Sequence, residues 1–203
     1  MDEKWMLQPK KGLGPLWFGM TEAEAIAVGS GIYGEVESAG SLGHDSNKEV
    51  YQILLEAMGE AAAKEAMAEL KSAEVTFKPS RRISFSSGIM ADFVEDRLDG
   101  LIGRSGVTQL HCNGKAFFQT DPVPALQQLQ LLNKSAPLVK GPDCYFKSIE
   151  VTAWQCVLLM PYPVFRATIE GTEESDQKTI GWRATPRNMA EDFSNHKALD
   201  LLP

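Results

Sequence analysis

The hydrophobic period of this chain changes just past Ser72, and that change limits the fold more than any other feature. Before it, Val50, Ile53, Leu54, Ala57, Ala61 and Ala68 recur at intervals of three and four, the spacing of one helical face. After it come "AEVTF", "RRISF", "GIMADFV", "GVTQLHC" and "KAFFQT", short runs rich in β-branched and aromatic residues, punctuated by Pro79, Ser87-Gly88 and Asn113-Gly114. Such runs bounded by turn residues read as strands. Asn-Gly between two of them suits a type I′ hairpin, whose central residues both need positive φ. The C-terminal third continues in the same manner with "YFKSIEVTAWQCVLLM", "VFRATIEG" and "KTIGWRA". Strands joined by tight turns pair antiparallel, so the expected class is α+β with a mainly antiparallel sheet, a long helix near 47–71 and shorter helices. The chain reads as one domain over residues 1–203, with an alternative division into two packed sub-domains near 121–140.

Helix boundaries are marked by their caps. Thr21-Glu22-Ala23-Glu24 is a capping box, in which the threonine oxygen accepts from the N3 amide and the glutamate reaches back to the Thr21 amide. Gly29 follows Val28 where a left-handed glycine would end the helix after about two turns. Ser46-Asn47-Lys48-Glu49 is a second box and opens the long helix, which Gly59 divides. Asp121-Pro122 opens a third, with Leu126, Leu129 and Leu132 on one face and Asn133 and Pro137 at its end. Thr185-Pro186 starts a last helix, and the C-terminal residues beyond it are expected to fray.

Charge and cysteine content narrow the function. Net charge is −7, the wrong sign for a protein that neutralises phosphates, so nucleic acid is excluded as a partner class. Residues 1–100 hold 17 acidic and 10 basic side chains, whereas 101–203 hold 10 of each, so the acidic excess lies in the first half and favours a basic partner. Cys112, Cys144 and Cys156 are odd in number and form no C-x-x-C pair, as in a reducing compartment. No apolar run approaches the roughly 20 residues that cross a bilayer, and "MDEKWMLQPKK" is charged from its second residue. A cytoplasmic protein with no membrane contact is expected.

Several motifs invite a chemical reading that their composition refuses. Gly14 to Thr21, G-P-L-W-F-G-M-T, differs from the phosphate-binding pattern G-x-x-x-x-G-K-[ST] at Met20. A true phosphate loop needs the lysine, and small residues whose successive amides form a nest. Proline has no amide proton to give, and leucine, tryptophan and phenylalanine seek burial instead. His44-Asp45 stands in a glycine- and serine-rich stretch without the further histidines and carboxylates of a metal phosphohydrolase. His111-Cys112 could be read as a thiol hydrolase pair, but adjacent strand residues point to opposite faces, and a structural cysteine is the simpler reading. No catalytic residue, metal ligand or cofactor site is assigned.

What remains is a set of recognition candidates. Asp92, Glu95, Asp96 and Asp99 cluster in "ADFVEDRLDG", and Glu173, Glu174 and Asp176 share the acidic loop "EGTEESDQK". Trp154 and Trp182 accompany the second group of strands, and tryptophans that reach a surface are favoured interface anchors. These nine residues form the expected partner-binding set.

The opening segment adds a resemblance. Gly12-Leu13-Gly14-Pro15-Leu16, then Gly19-Met20-Thr21 and a helix, resembles a signature, G-x-G-P-L-x-x-G-M-[ST]-x-x-E, of bacterial immunity proteins encoded beside polymorphic secreted toxins of the contact-dependent or type VI/Rhs kinds. The resemblance covers about 20 of the 203 residues. It implies a small cytoplasmic protein without catalytic residues that binds a cognate toxin domain, a basic one such as a nuclease, and occludes its active site. In the motif itself, Trp17, Phe18 and Met20 are expected to fill the core while Thr21 caps the helix. Two other functions fit parts of the sequence: an acidic secretion chaperone or adaptor, and a cytoplasmic hydrolase using Cys112 with a histidine.

Overall fold

In the computed structural model, residues 2–41, 47–72, 80–118, 123–140, 143–154, 178–185 and 195–202 are described. The chain opens with three two-residue strands, β1 (Leu7–Gln8), β2 (Gly12–Leu13) and β3 (Leu16–Trp17), which form a small antiparallel sheet in that order. Helix α1 (Glu22–Tyr33) leads into strand β4 (Val36–Ser41), and a helical pair, α2 (Asn47–Met58) and α3 (Glu60–Ser72), precedes the meander β5 (Ser80–Phe85), β6 (Ile89–Val94) and β7 (Arg97–Arg104). A hairpin of β8 (His111–Cys112) and β9 (Lys115–Ala116) is followed by helix α4 (Val123–Asn133). Strands β10 (Leu138–Lys140), β11 (Asp143–Phe146), β12 (Val151–Trp154), β13 (Thr179–Arg183) and β14 (Lys197–Ala198) complete the order.

Nine strands pair in one sheet, β14-β10-β11-β12-β13-β7-β6-β5-β4, and every pairing is antiparallel. The protein is α+β. The join between its halves is β13 on β7, with Ile180 opposite Gly103 and Trp182 opposite Leu101. Strands from both sides of residues 121–140 thus share a single sheet. Strand alternation gives the sheet an apolar face, where Ile83, Phe85, Ala91, Leu101, Ile180, Val151, Ala153 and Phe146 are buried with residues of α1 and α4.

The opening segment folds as its turns dictate. Leu13 and Leu16 are opposite one another and fully buried, while Trp17, paired with Gly12, is 44% exposed. The expected plug is therefore reversed: the leucines fill the core, Trp17 faces outward, and Phe18 and Met20 are partly buried at its edge. Gly12 sits at φ 147, and a Cβ there would lie 1.8 Å from the Leu16 carbonyl oxygen. No side chain fits. The Thr21 box forms as read, with the Thr21 hydroxyl accepting from the Glu24 amide at 3.3 Å and the Glu24 carboxylate accepting from the Thr21 amide at 2.8 Å.

Other boundaries differ from the sequence reading for physical reasons. Helix α1 runs past Gly29 to Tyr33, because Gly29 is needed where the ring of Phe85 packs: a Cβ would stand 2.6 Å from Phe85 Cζ. The helix ends instead at Gly34, φ 87. The long helix is broken at Gly59, φ 82, which resets the phase of the apolar stripe. Ile53, Ala57, Ala61 and Ala68 are exposed and Leu54 is partly buried, and among the described residues of the two helices Ala63 is the one buried. On α4, Leu126 and Leu129 are buried but Leu132 is exposed, and Gln130 and Asn133 complete the inner face. Gln130 accepts from the Leu201 amide at 2.7 Å and donates to Asp200, while Gln127 donates to the Leu201 carbonyl at 2.7 Å. With β14 paired to β10 and Leu201 buried, the described C-terminal residues are tied down rather than frayed. The caps at Ser46 and Asp121-Pro122, the segment "VFRATIEG" and the helix after Thr185-Pro186 lie outside the described residues.

Candidate functional site

The second face of the sheet is polar, and strand register assembles it. In an antiparallel sheet, residues directly opposite one another project to the same side. Arg82 is opposite Asp92, Asp92 opposite Gly100, and Gly100 opposite Arg183, which makes one row across four strands. The next row runs Met90, Ile102, Gly181, Thr152 and Tyr145. A cavity of about 170 Å³ opens over these rows, bounded by Arg82, Asp92, Tyr145, Glu150, Thr152 and Arg183. Gly100 and Gly181 also border it, contributing no side chain to fill it.

Charge in this cavity is arranged in unequal pairs. Asp92, 3% exposed at its side chain, accepts from Arg82 Nε at 2.6 Å and Nη2 at 2.8 Å, a bidentate pair that occupies both carboxylate oxygens. That bond holds the Arg82 guanidinium above its ordinary pKa, against the opposing effect of its partial burial. Arg183 is placed otherwise. It lies 3.7 Å from Asp92 Oδ2 and 3.6 Å from Asp99 Oδ2, close enough for attraction but outside hydrogen-bond range. Asp99 accepts instead from the Thr185 hydroxyl at 2.6 Å. At the far side, the Tyr145 hydroxyl donates to Glu150 Oε2 at 2.9 Å. Glu150 has a left-handed backbone, φ 53 and ψ 43, and its carbonyl accepts from the Arg183 amide at 3.1 Å.

The expected recognition residues are dispersed by this fold. Asp92 is buried in its arginine pair and Asp99 is engaged by Arg183 and Thr185, so neither presents a free charge outward. Glu95 and Asp96 remain exposed, at the tip of the β6–β7 hairpin, where both take positive φ as a type I′ turn requires. Trp182 is no surface anchor: it is 1% exposed, and its indole nitrogen donates to the Gly12 carbonyl at 2.9 Å, clamping the opening segment to the sheet. Its direction follows from alternation, since Arg183 next to it takes the polar face. Trp154 lies in β12 opposite Thr179. Glu173, Glu174 and Asp176 lie outside the described residues, as do His44, Asp45 and Cys156. Arg82, Tyr145, Glu150 and Arg183 were not singled out by sequence, although "RRISF" and "IGWRA" each carry an arginine alternating with apolar residues, the mark of a two-faced strand.

The paired candidates for nucleophilic chemistry are committed to structure. Cys112 is fully buried, and burial pushes its thiol up to about 12. The Gly114 amide donates to His111 Nδ1 at 3.3 Å, which leaves the proton on Nε2, 3.0 Å from the Asp2 carbonyl. Both imidazole nitrogens are thus used by backbone. Among the described residues no three histidine, cysteine or acidic side chains gather as a metal site, and no described helix is long and apolar enough to cross a membrane. Compared with known proteins, the chain matches no family model, no curated protein and no solved structure.

Proposed function

We propose that this protein acts by binding another macromolecule, as a cytoplasmic immunity protein that neutralises a cognate secreted toxin by covering its active site. The observation that carries binding over catalysis is the state of Cys112 and His111. A nucleophilic cysteine needs a lowered thiol pKa and a base free to take its proton; here the thiol is raised to about 12 and the imidazole is held by two backbone groups. The toxin as partner is supported by the signature in Gly12 to Glu24 and by the acidic excess of the first hundred residues, which favours a basic target.

The test is co-expression. Cells carrying the product of the neighbouring gene should die without this protein and survive with it, and the tagged protein should retain that product from a lysate. A neighbouring product that is harmless, or that is not retained, overturns the reading. Protection against toxin delivered from outside distinguishes an inhibitor from a secretion chaperone, which would matter only in the producing cell.

A further inference from the structure

We propose that the cavity on the polar sheet face receives one basic side chain, arginine or lysine, projecting from the partner protein. This rests on the reading that the protein works by binding, and it names the chemistry of one contact. Four charged groups line the cavity and cancel: Arg82 and Arg183 against Asp92 and Glu150. Asp99, outside the lining but 3.6 Å from Arg183, adds a negative charge beside them. A carboxylate or phosphate entering would add to that negative charge, whereas a cation would offset it. The −7 charge of the whole chain acts in the same direction.

The acceptor for such a guest is Glu150. Asp92 is buried and already accepts from Arg82 at both oxygens, which makes it the less accessible acceptor. Glu150 gives only Oε2 to Tyr145, and its Oε1 has no hydrogen-bond donor among the described residues. Its left-handed backbone is a conformation that residues other than glycine adopt at a cost, and such strain gathers where a side chain must be aimed. Glu150 and Arg183 are neighbours across β12 and β13, but the Arg183 guanidinium lies 3.7 Å from Asp92 and 3.6 Å from Asp99 and that of Arg82 is held by Asp92, so a cationic head should settle at Glu150 Oε1, with its methylene stem over Gly181 and Thr152.

Amide spectra of the labelled full chain test this with three probes: the N-acetyl methylamides of arginine, lysine and glutamate. The arginine and lysine probes should shift Gly100, Thr152 and Gly181, and the glutamate probe should not. Glu150→Gln keeps the size of the side chain and its acceptor for Tyr145, and should weaken arginine binding about tenfold. Thr152→Lys fills the cavity with a cation of its own and should abolish it. Tighter binding of the glutamate probe, no shift with any probe, or full affinity in folded Glu150→Gln overturns the proposal. The immunity reading fails separately: a toxin captured equally well by Glu150→Gln refutes the cavity contact alone, while arginine binding without any captured toxin refutes the immunity role alone.

Discussion

With both oxygens of Asp92 held by Arg82, and Arg183 only 3.7 Å away, loss of that single negative charge would leave two guanidinium groups facing each other across Gly100. Breaking a buried ion pair by removing one member costs about 3–5 kcal/mol, because the other charge stays desolvated. Both arginines are about a third exposed, so water screens part of the penalty. Asp92→Asn should therefore destabilise the protein by about 2–3 kcal/mol in urea unfolding; a loss under about 0.5 kcal/mol would show that the pair contributes nothing net. Cys112 and Tyr33 govern the alkaline side. Burial pushes the thiol up to about 12 and raises the Tyr33 phenol too, with Asp2 adding to the latter. In the unfolded chain these groups ionise near about 8.5 and 10. Above those values the unfolded state sheds protons that the folded state keeps. Stability is thus whole below about pH 8.5 and declines toward pH 12, by up to about 1.4 kcal/mol per pH unit for each group. Melting from pH 7 to 11 should show that decline, and Cys112→Ala should delay its onset.

At the level of helices and strands, two features are legible from a few adjacent residues. The Thr21 box and the Asn113-Gly114 turn, with φ of 46 and 77, are decided by neighbours in sequence, and both form as their residues specify. Gly29 is the contrary case: nothing nearby distinguishes a terminating glycine from one that makes room for a ring, and Phe85 is supplied by a strand more than fifty residues later. Substitution there sets two effects against each other. Alanine gains about 1 kcal/mol of helix propensity over glycine, but its Cβ would meet Phe85 Cζ at 2.6 Å, in a ring that is itself buried and packed on Tyr33. Overpacking of this kind costs about 1–3 kcal/mol. Gly29→Ala should be net destabilising by about 1 kcal/mol, read from the midpoint of chemical unfolding, and a stabilised variant would mean that the ring yields freely. The polar cavity was hidden for the same reason as Gly29: strand alternation marks Arg82 and Arg183 as outward-facing, but only the pairing of β13 with β7 makes them neighbours.

For the molecule as a whole, the fold moves the acidic character away from where its sequence density lies. The densest cluster, residues 92 to 99, spends Asp92 and Asp99 on arginines, while exposed acidic groups stand on the helical pair, at Glu56, Glu60, Glu65 and Glu69, at the Glu95-Asp96 hairpin tip, and at Asp2, Glu3, Glu24, Glu35 and Glu37. Glu60 already holds Lys64, which holds its carboxyl below the usual range. Long-range attraction depends on exposed charge, and ions screen it beyond about 8 Å at physiological ionic strength. If the partner is basic, steering should come from these exposed groups and not from Asp92. Reversing Glu56, Glu65, Glu95 and Asp96 to lysine turns four negative charges positive without touching the cavity. Association with the captured toxin should slow by about tenfold or more at low salt, and its salt dependence should flatten. Dissociation should change little, because rim charges act before contact and the cavity after it. Stopped-flow traces at several salt concentrations separate the two. An association rate unmoved by the fourfold reversal would mean that the acidic surface keeps the protein soluble and takes no part in finding its partner.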